Sequence, residues 1–164
     1  MKRILAVALF STAMIVALSV QAEDKIADVT DMDALKKAVR ADKKAFVAST
    51  LKLTDAEGKK FWPIYDAYQR DLEVIDRRRT RAFEGLIGQE RNLSNVYART
   101  LANELIATDE AEIKLRRALH NRLLSRTPGR VVMPAVKAAR YLQLESKIRA
   151  YQDYDIAVTF PLVR

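Results

Sequence analysis

The chain has no cysteine, so no disulfide can brace the fold and no thiolate can act as nucleophile or metal ligand. Its one histidine, His120, has Asp109, Glu112 and Arg116 among its neighbours in sequence, which supply no dense ligand cluster. That is a poor zinc donor set, and a half-buried, hydrogen-bonded imidazole is the expected state of His120. There are four glycines and four prolines in 164 residues, so long elements meet few breaks. Short runs alternating β-branched and polar residues between turns are missing, which argues against a sheet. No Ser/His/Asp arrangement, glycine-rich phosphate loop, HExxH or CxxC motif occurs. Neither a catalytic residue nor a cofactor or metal is predicted, and the chain reads as a non-enzyme.

The one long apolar run lies at the start. Lys2 and Arg3 precede Ile4–Val20, and Val20-Gln21-Ala22 gives way to Glu23-Asp24. This is the layout of an export signal cleaved after Ala22; a retained membrane anchor is the rival reading. Residues 1–22 are thus the expected signal peptide and 23–164 a single helical domain, placed in a bacterial periplasm. Lys and Arg number 29 against 21 Asp and Glu. Outside the cytosol such an excess points away from nucleic acid and toward acidic unfolded chains, acidic envelope polymers and anionic lipid surfaces.

What is present almost throughout is helical periodicity. A first helix is predicted over Asp33–Ser49, with Leu35, Val39, Phe46 and Val47 inward. Thr54 and Glu57, following Leu53, form a capping box that starts the second. Phe61, Tyr65, Tyr68, Leu72, Ile75, Ala82 and Leu86 then make one apolar stripe, with a bend expected at Pro63. Gly85 and Gly88 end this helix. Ser94 caps a third whose stripe is Tyr97, Leu101, Leu105, Leu115, Leu119 and Leu123, widened by Ile106, Ile113 and Leu124. Thr127-Pro128-Gly129 is a turn. Pro134 opens a last helix to about Ala157, with Ala138, Tyr141, Leu142, Ile148 and Ile156 on one face. The tail Phe160-Pro161-Leu162-Val163 is expected to fold back. The fold class is all-α: a long bent helical hairpin with added N- and C-terminal helices. Its apolar flanks call for a homodimer.

Charges sort by position on the helical wheel. Lys59, Arg70, Arg77 and Arg81 lie opposite the stripe of the second helix, and Arg99, Lys114 and Arg117 point outward on the third. They form either a solvated face or an adhesive one for acidic clients, with Trp62 at the flank of the stripe as core or interface residue. Arg79 sits on the apolar centre line of the second helix, and Glu145 interrupts that of the last. A desolvated charge needs a partner. Arg79 is expected to pair with Glu145 first or Glu104 second, unless the two reach solvent along their stems.

Leu53-Thr54-Asp55-Ala56-Glu57 resembles the LTxxQ motif of the Spy/CpxP-like periplasmic proteins. Phe61-Trp62-Pro63-Ile64-Tyr65-Asp66-Ala67-Tyr68 and Ala138-Ala139-Arg140-Tyr141-Leu142-Gln143-Leu144-Glu145 resemble a branch of that family without assigned activity. The likeness implies bent helical hairpins, often an antiparallel homodimer with a basic concave face, and an ATP-independent chaperone or envelope-stress role. Docking on an envelope sensor protein, or a metal-responsive stress role, are the alternatives it carries. Glu57 stands in place of the motif's final Gln. Leu93-Ser94-Asn95-Val96-Tyr97 is a degraded second copy, and histidine-rich segments are missing.

Overall fold

The computed structural model describes residues 31–88, 93–160 and 162. The expected signal segment 1–22, and Pro161 and Val163 of the tail, lie outside the described residues. Regular structure among the described residues is α-helical: α1 (Met32–Leu51), α2 (Asp55–Gly88), α3 (Asn95–Leu123) and α4 (Ala135–Thr159).

Local chemistry sets the boundaries. Asp31 caps α1 by accepting from the backbone N–H groups of Asp33 and Ala34, satisfying donors the first turn leaves open. Lys52 ends α1 in the left-handed region (φ 45°), its N–H bonded to the Ala48 carbonyl, an αL-type stop. The capping box forms as its sequence predicts. Glu57 accepts from the Thr54 N–H at 2.8 Å, and Thr54 Oγ1 from the Glu57 N–H at 3.3 Å. Ser94 caps α3 through the Tyr97 N–H. α2 continues through Pro63 as a single element. A break in helical dihedrals falls instead inside α1, at Asp42 (φ −164°, ψ 99°). There the Asp42 carboxylate accepts from the Ala45 N–H, so Asp42 caps a second helical rod within α1.

Side-chain pairs fix the topology. Gly85 lies beside Leu101 and Arg79 beside Asp109 and Glu112, so α2 and α3 run antiparallel. Lys36 meets Asp155 and Lys43 meets Glu145, so α1 and α4 do too. Phe61 and Tyr65 meet Tyr141 while Asp76 meets Arg149, so α2 and α4 are parallel. The result is an up-down-up-down arrangement, with α2 packed chiefly on α3 and α1 chiefly on α4.

The main core joins Leu35, Val47 and Leu51 of α1 to Phe61, Tyr65, Tyr68 and Leu72 of α2. Leu119 and Leu123 of α3, Ala138, Tyr141, Leu144 and Ile148 of α4, and Val132 and Met133 of the connecting segment complete it. Phe61 and Tyr141 meet edge to face at 5.0 Å. Burying a side chain like Phe61 contributes roughly 1.5–3 kcal/mol. Further along the bundle, Phe160 stacks on Phe83 at 5.2 Å, while Leu162 is 92% exposed; of the predicted tail, its first residue packs.

Two expectations for α3 fail. Ile106 and Ile113 are 60% and 58% exposed and do not widen a buried face. His120 is also exposed rather than half-buried; its ring meets only the Asn121 side chain, at 3.3 Å. The cause is the pairing of helices: α3 touches α4 lightly, so only the narrow line through Leu101, Thr108, Glu112, Leu119 and Leu123 is covered.

Candidate functional site

The seven cations placed outward by the sequence, Lys59, Arg70, Arg77 and Arg81 on α2 and Arg99, Lys114 and Arg117 on α3, are all exposed. From Lys59 to Arg81 the α2 row is roughly 33 Å long at 1.5 Å per residue. Arg77 pairs with Glu73, and Arg81 Nε donates to the Arg77 carbonyl at 3.1 Å. Exposed apolar side chains flank the two helices: Val74 on α2, and Val96, Ile106 and Ile113 on α3. Trp62 is half-buried against the core. It meets Phe61 and Tyr65 edge to face, and the Lys44 ammonium lies 5.3 Å from its ring centre. Its remaining edge borders a cavity of about 580 Å³ with Leu53, Thr54 and Pro63.

Arg79 and Glu145 are both desolvated, at 7% and 2% exposure, but they do not pair with each other. Arg79 donates to Asp109 and Glu112, each at 2.9 Å, and to Asp76 at 3.4 Å. Glu145 accepts from Lys43 at 2.9 Å and from Gln69 at 3.4 Å. Glu104, the second candidate, is held by Arg78 through Nε at 2.8 Å and Nη2 at 3.1 Å. The expected pair is therefore replaced by two separate clusters. Arg79 lies well along α2 from the layer where Gln69 meets Glu145, and nearer carboxylates from α3 reach it first.

The residues that sequence reasoning missed are Glu112, Arg149, Asp76 and Asp153. Glu112 falls on the α3 stripe between Leu105 and Leu119, at the spacing that marks it as inward; that signal was available. Arg149 lies one turn beyond Glu145. It donates to Glu112 through Nε (3.0 Å) and Nη2 (2.8 Å), and to Asp76 through Nη1 (2.9 Å) and Nη2 (3.0 Å). Burial pushes the Glu112 carboxyl up, but the hydrogen bonds and charges of Arg149 and Arg79 outweigh it and hold it below the ordinary value. Burial likewise opposes the charge on Arg149, while Glu112 and Asp76 raise its pKa. Asp153 lies 3.6 Å from Arg149 and 3.8 Å from Arg79, and burial raises its pKa despite them. Burial and then the charge of Glu145 push the Tyr68 and Tyr141 phenols up, so both stay neutral. The ion-paired layer, in which Arg79 and Arg149 face Asp76, Asp109, Glu112 and Asp153, ties α2, α3 and α4 together. A groove of about 570 Å³ opens beside it, between Phe83, Leu105, Ile113 and Ile156.

At the start of α2, Glu57 also accepts from Lys137 of α4 at 2.7 Å. That bond, with the Thr54 N–H, lowers the Glu57 pKa. The motif Leu53-Thr54-Glu57 therefore joins two helices as well as starting one. No helix among the described residues is long and apolar enough to cross a membrane. No group of three or more His, Cys, Asp or Glu among them is arranged to hold a metal ion. Comparison of the chain with protein-family models, curated proteins and solved structures found no match.

Proposed function

We propose that the protein is an exported, ATP-independent binding protein of the periplasm, chaperone-like or acting in envelope stress. It holds acidic or partly unfolded clients on a basic, partly apolar helical surface. The observation that supports this is the outer face of α2 and α3. Lys59, Arg70, Arg77, Arg81, Arg99, Lys114 and Arg117 stand exposed there beside Val74, Ile106 and Ile113. Cations attract an acidic chain over a Debye length, and the apolar side chains hold it once it arrives. In this reading the working unit is an antiparallel homodimer of bent α2–α3 hairpins. The resemblance at Leu53–Glu57 and the two aromatic segments agrees with this use of the fold.

Suppression of aggregation of a denatured acidic client, measured by light scattering with and without added salt, tests the reading. Equimolar protein is expected to suppress scattering, and salt and the double variant R77Q/R81Q to weaken the effect. Unchanged scattering would overturn the proposal. Capture of one receptor domain by the same face, with no effect on denatured clients, would favour a regulatory role instead.

A further inference from the structure

A second cationic site lies at the end of the bundle where α2 begins and α3 ends, apart from the outer row. Residues 120–140 contain Arg122, Arg126, Arg130, Lys137 and Arg140 and no acidic side chain. This stretch ends α3, makes the turn and opens α4. It gathers positive charge without the carboxylates that intersperse the α2 row. Lys137 is neutralised by Glu57. Arg122 and Arg130 have no carboxylate within ion-pair distance among the described residues.

These two guanidinium groups line a pocket of about 460 Å³ with Lys60 of α2. Asn121 and Ser125 add polar groups to it, and Ile64 and Val132 supply apolar wall. Its mouth is held in shape. Lys60 Nζ donates to the Val131 carbonyl at 2.9 Å. The Arg130 N–H donates to the Thr127 carbonyl at 3.0 Å, and Gly129 turns the chain at φ 79°. That φ is readily open to glycine and costly for other residues. Val131 (46% exposed) follows the turn directly, and Val136 (71% exposed) lies in the first turn of α4.

Two planar guanidinium groups and an ammonium around an apolar wall match a phosphate oxyanion. The exposed valines choose the source: a free phosphate has no use for them, whereas a headgroup at a lipid surface brings apolar depth beside the charge. We infer that the pocket of Lys60, Arg122 and Arg130 binds the phosphate of an anionic phospholipid and docks this end of the bundle on a membrane surface. The site is distinct from the client-binding face, so either can stand without the other.

Flotation with vesicles of mixed phosphatidylglycerol and phosphatidylcholine, against vesicles of phosphatidylcholine alone, tests this. The exported form of the chain is used. If residues 1–22 remain attached, the apolar run 4–20 contributes to both vesicle types, and the ratio of the two affinities is the readout. The double variant R122Q/R130Q is expected to reduce the preference for phosphatidylglycerol about 30-fold, two basic contacts' worth at a lipid surface. V131S is expected to weaken it further. R77Q/R81Q removes the same charge elsewhere and is expected to keep the preference, while R122Q/R130Q keeps suppression of client aggregation. Helix content by circular dichroism is expected to be unchanged in all three. Equal loss in the two double variants, or no preference for phosphatidylglycerol in the parent chain, would overturn the site. Inorganic phosphate or glycerol phosphate abolishing vesicle binding at low millimolar concentration would overturn the membrane source.

Discussion

Arg149 of α4 grips Glu112 of α3 with two nitrogens, at 3.0 and 2.8 Å, and the same guanidinium reaches Asp76 of α2. One side chain thus spans three helices. Its own side chain is 3% exposed and that of Glu112 is 8% exposed, so water takes little part in the balance. Removing one partner from such a cluster leaves an uncompensated buried charge, which is far worse than never having had the pair.

R149M is therefore expected to lower the unfolding free energy by about 3–5 kcal/mol, read from urea denaturation. E112Q, which leaves Arg149 with Asp76, is expected to cost less. A triple variant R79M/E112L/R149M is expected to recover most of the R149M loss, because the buried Glu112 goes with its cations and the remaining carboxylates, Asp76, Asp109 and Asp153, are 32%, 61% and 55% exposed and keep their water.

Lys43 and Glu145 make a second, independent test. Glu145 is almost fully enclosed and has Lys43 as its cation. K43M is expected to destabilise by about 2–4 kcal/mol, and the double variant K43M/E145L by much less. Equal losses in K43M and in the double variant would show that Gln69 alone satisfies Glu145.

Acid should weaken the fold. Glu112 is depressed below 4.5 by its arginines after burial is overcome, Glu57 by Lys137 and the Thr54 N–H, and Glu104 by Arg78. A carboxyl with a lowered folded pKa adds stability that is complete above its unfolded value and is lost as pH falls through the folded one. Asp153, raised by burial, acts the other way: its contribution is present at low pH and lost as pH rises. Asp155, lowered by hydrogen bonds from Tyr151 and Lys36, joins the depressed groups; four against one raised group leave a net loss, so Tm is expected to fall from about pH 5 toward pH 3. E112Q is expected to flatten that fall.

Much of the fold can be read from spacing. Thr54 and Glu57, Ser94, Pro134 and the stripe from Phe61 to Ala82 locate the helices because caps and periodicity are local properties. The desolvation of Arg79 and Glu145 was legible for the same reason: a wheel shows which positions face inward. Their partners were not. Which carboxylate meets Arg79 depends on how far α3 slides along α2, and the wheel of one helix holds no record of that. Ile113 and His120 were misplaced because the width of a buried face depends on how closely α4 approaches α3. The pocket of Lys60, Arg122 and Arg130 joins residues distant in sequence, and only the charge bias of residues 120–140 hinted at it.

The break at Asp42 gives α1 two anchorages of different kinds. The rod before it is pinned by Leu35 and by the half-exposed bonds of Lys36 and Arg40 to Asp155. The rod after it is pinned by Val47 and Leu51, both fully enclosed. A chain jointed in this way need not open all at once. The leading rod rests more on ion pairs that salt can screen, and the trailing rod on enclosed apolar contacts that it cannot.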